Sequence, residues 1–77
     1  MIQYIPFKEV RFSPYIGYYH SFGIAAIRFT DLELDWQKEE VISDVSTDLS
    51  FVIQLSQRCT RGELSPIHLL DVVLDSI

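Results

Sequence analysis

The spacing of apolar residues changes character near the middle of this chain. Up to residue 45 the apolar positions come in short runs and alternations of period two, and from Leu49 onward they recur every three or four residues. The first regime belongs to strands and the second to helices. Residues 7–12 predict a first strand, ended at Ser13-Pro14 because proline cannot donate to a ladder. Residues 15–20 are aromatic and strand-prone, and Gly17 among them marks a bulge or a tight bend. An apolar run follows at 21–30. Residues 31–37 alternate cleanly, with Leu32, Leu34 and Trp36 on one face and Asp31, Glu33 and Asp35 on the other. That is the pattern of a half-buried antiparallel strand. Ile27 and Phe29 hold the odd phase and Leu32, Leu34 and Trp36 the even one, so a bulge or short turn is expected near Thr30-Asp31. Residues 37–40 read as a polar connection and 41–45 as a short closing strand.

Two helices are expected after that. Ser46 offers an N-cap hydroxyl, and Asp48 places negative charge in the first turn, where the helix dipole favours it. Leu49, Val52, Ile53 and Leu55, extended by Phe51 and Cys59, form an apolar stripe. Arg58 and Arg61 fall in the last turn, and Gly62 suits a left-handed C-cap. Ser65-Pro66 then starts a second helix, with serine as cap and proline at the first position. Its inward face is expected to be Ile67, Leu70, Val73, Leu74 and Ile77, widened by Leu69 and Val72, with His68, Asp71 and Asp75 opposite. The fold class is therefore α+β. A small antiparallel sheet of three to four strands spans about residues 4–45, and two C-terminal helices, at about 47–61 and 66–77, pack on one face.

The 77 residues make a single domain with a thin core. With 48% hydrophobic residues spread along the whole chain, folding is favoured over disorder. Cys59 is the single cysteine, so no internal disulfide is available. Residues 1–7 lack a basic start and a long apolar run, and the uncharged stretch 12–27 is broken by Pro14, Gly17, His20 and Gly23. Neither a secretory leader nor a membrane span is expected, which points to a cytoplasmic setting. The net charge of −5 is uneven: residues 1–30 carry three basic residues against one acidic, and residues 31–77 carry three against ten. This balance argues against duplex nucleic acid, which needs clustered Lys and Arg.

Phe22-Gly23-Ile24, the Val45-Ser46 junction and the segment from Leu64 to Val73 occur here in one order. That order resembles a family of short uncharacterised bacterial proteins of clostridial and related Gram-positive genomes, a domain of unknown function. The resemblance covers roughly residues 18–77 and is most specific in Ser65-Pro66-Ile67-His68-Leu69-Leu70-Asp71-Val72, the pattern Ser-Pro-x-His-Leu-x-Asp-Val. It implies an intracellular bacterial setting and brings no reaction, cofactor or partner with it.

Chemistry-bearing residues are few. His68, Asp71 and Asp75 share one helical face and offer the start of a metal or catalytic site, but a metal needs three or four ligands and the other histidine, His20, lies on a strand. The blander reading is a solvated face. Cys59 near a helix C-terminus reads as a small buried hydrophobe rather than a thiolate. No phosphate-cradling glycine loop, Cys-x-x-Cys pair or nucleophile elbow is present, so no cofactor is expected.

The aromatic residues are the anomaly, because eight of the ten lie in the first thirty positions. Some must fill the core, and the others suit a protein interface. The expected function is a non-catalytic protein-interaction or regulatory module that binds a protein partner or a second copy of itself through an open sheet edge. Tyr15, Tyr18, Tyr19 and Phe22 would be its apolar anchors, and the acidic second half would favour a basic partner. The alternative is single-stranded nucleic-acid binding by the aromatic N-terminal half with Lys8, Arg11 and Arg28. A metal or catalytic site at His68, Asp71 and Asp75 is a third reading.

Overall fold

The structure, a computed structural model, describes residues 1–29 and 36–77. Strands β1 (Ile2–Ser13), β2 (Gly17–Phe29) and β3 (Trp36–Ser46) form an antiparallel sheet in the order β1-β2-β3. Helix α1 (Leu49–Arg61) follows, then a 3-10 turn at Pro66–His68 that leads into α2 (Leu69–Ser76). The architecture is α+β, a three-stranded antiparallel sheet followed by two C-terminal helices, as the change of period predicts.

Element boundaries differ from the sequence pattern for identifiable reasons. β1 starts at Ile2 and passes through Pro6. The Tyr4 amide donates away from β2, to Thr60 Oγ1 at 2.9 Å, while the Met1 carbonyl accepts from the Phe29 amide at 2.9 Å. Odd residues of β1 therefore bond to β2, and even residues point their N–H and C=O groups to the outer edge. Pro6 occupies one of these outward positions, where its missing N–H removes no ladder bond. Residues 15–20 and 21–30 are not two strands: β2 is continuous from Gly17, which opens it at φ 81° after a turn at 14–16. The supposed connection 37–40 lies inside β3, an outer strand on which charged side chains are well tolerated. Most of the alternating segment, with the bulge expected near Thr30-Asp31, falls outside the described residues.

Irregularity is instead described on β3, with register shifts between Phe22 and Ile24 and between Ala26 and Ile27. At the first of these, Ile42 and Ser46 of β3 stand opposite Ile24 and Phe22, so residues 43–45 face Gly23 alone and Asp44 takes a φ of 55°. Gly23 is needed there by close approach. A Cβ on it would lie 2.5 Å from both Phe7 Cζ and the Ile42 carbonyl oxygen, because the Phe7 ring covers it.

The core lies between one face of the sheet and the two helices. Tyr4, Ile24, Ala26 and Val45 meet Val52, Leu55 and Cys59 of α1 and Leu69 and Val73 of α2. Asp48, rather than Ser46, caps α1: its carboxylate accepts from the Phe51 amide at 3.3 Å, and Ser46 Oγ accepts from the Asp48 amide at 3.0 Å. At the other end the left-handed residue is Glu63, at φ 51°, and not Gly62, at φ −81°. The Glu63 amide donates to Thr60 O and the Leu64 amide to Cys59 O, the paired bonds of a Schellman closure placed one residue past the glycine.

The largest departure concerns α2. Leu69, expected only to widen its inward face, and Val73, expected on that face, are the buried pair, whereas Ile67, Leu70, Leu74 and Ile77 are exposed. α2 is apolar over more than half its circumference, so periodicity could not decide which side faces the sheet.

Candidate functional site

The molecule measures 47 × 26 × 20 Å, and its length comes from a hairpin arm. β3 ends at Ser46, opposite Phe22, and α1 turns back over the sheet from there. Beyond that level, among the described residues, β1 and β2 pair only with each other, from Lys8↔Phe22 to Ser13↔Gly17. The tip is formed at Pro14, whose fixed φ suits a turn, and Ser13 Oγ accepts from the Tyr15 amide at 3.2 Å. Neither helix covers this ribbon, and its large apolar side chains stand in solvent: Val10, Phe12, Ile16, Tyr18 at 79% exposure and Tyr15 at 93%. Phe12 and Tyr18 are direct cross-strand partners, with ring centroids 5.1 Å apart and planes tilted by 56°.

A polar knot holds the arm at its root. Asp44, in the β3 bulge, accepts from Ser21 Oγ at 2.5 Å and donates its amide to Glu9 Oε2 at 2.7 Å. Arg11 approaches both carboxylates, at 3.5 Å from Asp44 and 3.6 Å from Glu9. Ser21 is fully buried, and among the described residues no buried side-chain polar atom lacks a partner. The knot thus fixes the left-handed Asp44 and ties β1 to β3 across the intervening strand.

The four residues expected to act as anchors separate. Tyr15 and Tyr18 lie exposed on the arm, Tyr19 is half-buried, and Phe22 packs against the core at the arm's root. Val10, Phe12 and Ile16 join the exposed set and were not singled out by sequence. Their signal was the hairpin itself, two strand-prone runs around Pro14 and Gly17 too far from the helical half to be covered by it. Two of the cations expected to serve a nucleic acid face carboxylates instead: Arg11 as above, and Arg28, which donates to Glu39.

His68, Asp71 and Asp75 are exposed on the last turn and α2, and no group of three or more His, Cys, Asp or Glu that could hold a metal occurs among the described residues. Asp71 and Asp75 flank the outward stripe of Ile67, Leu70, Leu74 and Ile77, which is a second apolar surface. Cys59 is free and buried beside a groove of about 270 Å³ between the helices, and burial pushes its thiol pKa up while Arg58 opposes the shift. Burial, and secondarily the Cys59 charge, also raise the Tyr4 phenol, whose hydroxyl donates to the Leu64 carbonyl. Neither group is poised as a nucleophile. No helix among the described residues is long and apolar enough to cross a membrane.

No curated protein and no solved structure matches this chain. A family model does, over residues 8–77, which takes in most of the arm that the sequence resemblance from residue 18 left out. The chain belongs to that family, the Family of unknown function (DUF6514).

Proposed function

We propose that this chain is a non-catalytic protein-interaction module of the bacterial cytoplasm that binds through its aromatic arm. The observation that carries the reading is the exposure of Phe12, Tyr15 and Tyr18 together on a ribbon that the helices do not reach. Exposed aromatics are large, stiff and only partly polar, so burying them against a partner yields much apolar contact for little lost side-chain freedom. A protein partner is favoured over single-stranded nucleic acid because Arg11 and Arg28 are engaged by carboxylates. The outward stripe of α2, with Asp71 and Asp75 beside it, supports a basic flank on such a partner.

The test is retention from cell extract on immobilised chain. The unaltered protein is expected to hold a partner that the double variant Tyr15→Ser/Tyr18→Ser loses and that Gln54→Ala, on the exposed face of α1, still holds. Equal retention by the arm variant would overturn the reading.

A further inference from the structure

Resting on the reading of the arm as the binding element, we infer that its partner is a second copy of this chain, paired antiparallel along the outer edge of β1 about a two-fold axis at Val10. The outward N–H and C=O groups of β1 belong to even residues, as the bond from the Tyr4 amide to Thr60 requires. At one end that edge is closed, because Thr60 of α1 takes the Tyr4 amide and Pro6 has none to offer. At the other end the strand stops at Ser13. The free stretch is therefore Lys8, Val10 and Phe12, which is centred on Val10.

Only even residues present bonding groups, so two copies pair even with even and odd with odd. The side chains choose among the registers this leaves. An axis at Glu9 opposes two glutamates, an axis at Arg11 opposes two arginines, and an axis at Lys8 opposes two lysines. An axis at Val10 sets Glu9 of each copy opposite Arg11 of the other, twice, on one face of the sheet. On the other face it sets Val10 against Val10 and Lys8 beside the Phe12 ring, where an ammonium is attracted to the aromatic face. It is the register that pairs opposite charges and leaves no like charges opposed. Glu9 and Arg11 keep acceptor and donor capacity beyond their bonds within the chain, since a carboxylate offers about four lone-pair sites and a guanidinium five N–H donors.

The same register carries the tip of one copy past the closed part of the other's edge. Ser13 comes level with Phe7 of the facing copy, and the turn at 14–16 projects from there toward its Tyr4. A groove of about 480 Å³ lies there, lined by Gln3, Tyr4, Gln57, Thr60 and Arg61. Tyr15, the most exposed aromatic residue of the arm, lies in that turn. The product is a continuous six-stranded sheet in which the exposed β1 edges cover each other.

The experiment is sedimentation equilibrium over a concentration series, with far-ultraviolet circular dichroism confirming that each variant is folded. The unaltered chain is expected to form a dimer. Val10→Pro removes an outward N–H without touching the β1–β2 ladder and is expected to weaken association by about tenfold or more. E9K and R11E are each expected to weaken it as well, because each opposes like charges, and an equimolar mixture of the two is expected to recover a heterodimer. If the unaltered chain stays a monomer at the highest concentration reached, or if Val10→Pro dimerises equally well, the inference fails. If Val10→Pro is monomeric but the mixture recovers nothing, the register fails. Loss of the dimer with continued Tyr15- and Tyr18-dependent retention from extract would discard self-pairing and leave the arm as the surface for another protein.

Discussion

The body and the arm are built from the same two strands and similar residue types, yet they differ in what lies over them. In the body, Tyr4, Ile24 and Ala26 are buried beneath Val52, Leu55, Leu69 and Val73. Eight residues further along the same ribbon, Phe12 and Tyr18 have each other and little else. Composition does not distinguish the regions; the reach of the helices does. A strand aromatic contributes to stability where a second layer excludes water from it, and is available to a partner where none does. Substitutions that spare the backbone should therefore separate the two regions by stability.

The largest effect is expected at Leu55, 1% exposed on α1 above the sheet. Leu55→Ala removes buried methyl groups from a core too small to close over the cavity, at a cost of about 2–5 kcal/mol. For a domain of this size, with a few kcal/mol of total stability, that is enough to leave much of the population unfolded at 25 °C. Urea unfolding followed by circular dichroism checks it. A loss below about 1 kcal/mol would mean that the helices do not form a sealed layer over the body, and the contrast with the arm would lapse.

This division was partly legible in the sequence. The switch from period two to period three or four placed strands before helices, and Ser13-Pro14 marked the end of β1, since those signals are local. What failed was whatever depends on how elements dock. The sequence pattern turns the stripe Ile67, Leu70, Leu74 and Ile77 inward, whereas it faces out, because α2 is apolar on both sides and no local rule ranks two apolar faces. That β1 runs on through Pro6 is not legible locally, because the harmlessness of that proline depends on its facing an outer edge. Tyr15 and Tyr18 were expected at a surface, but Phe22, only four residues from Tyr18, packs on the core, and nothing in the aromatic run says where the helices stop.

A smaller effect is expected at Tyr4, the point where β1 is fastened to the segment joining the helices. Its hydroxyl donates to the Leu64 carbonyl, and Tyr4→Phe leaves that carbonyl without this donor, at about 1–2 kcal/mol. The pH dependence follows from the same site. Burial raises the phenol above its ordinary 10.0 and the Cys59 thiol above its ordinary 9.0. Both groups hold their protons more tightly in the folded chain, so their stabilisation is complete below the ordinary values and is lost as pH rises through the folded ones. Urea midpoints should fall from pH 8 to pH 11, a range about these two values, and fall less in Tyr4→Phe, which keeps only the Cys59 part. Parallel declines in both proteins would remove Tyr4 from the account.

The smallest effect on global stability is expected in the arm, and its smallness is the informative part. Phe12→Ser breaks the contact with Tyr18, a pair whose attraction is about 0.5–1.5 kcal/mol in favourable settings. Both rings are largely wet, so little transfer free energy is at stake, and the body does not need the arm's end in order to fold. Urea midpoints should move by less than about 0.5 kcal/mol equivalent. The loss should appear locally instead. Amide exchange should quicken for residues 10–20, where within one copy two strands hold only each other, and stay unchanged at Ile24 and Ala26 beneath the helices. The knot of Ser21, Asp44, Glu9 and Arg11 marks where the fraying should stop, because it fastens both arm strands to β3. Exchange that quickens on both sides of the knot would mean that arm and body open as one cooperative unit, and that the arm's aromatic residues belong to the fold rather than to a partner.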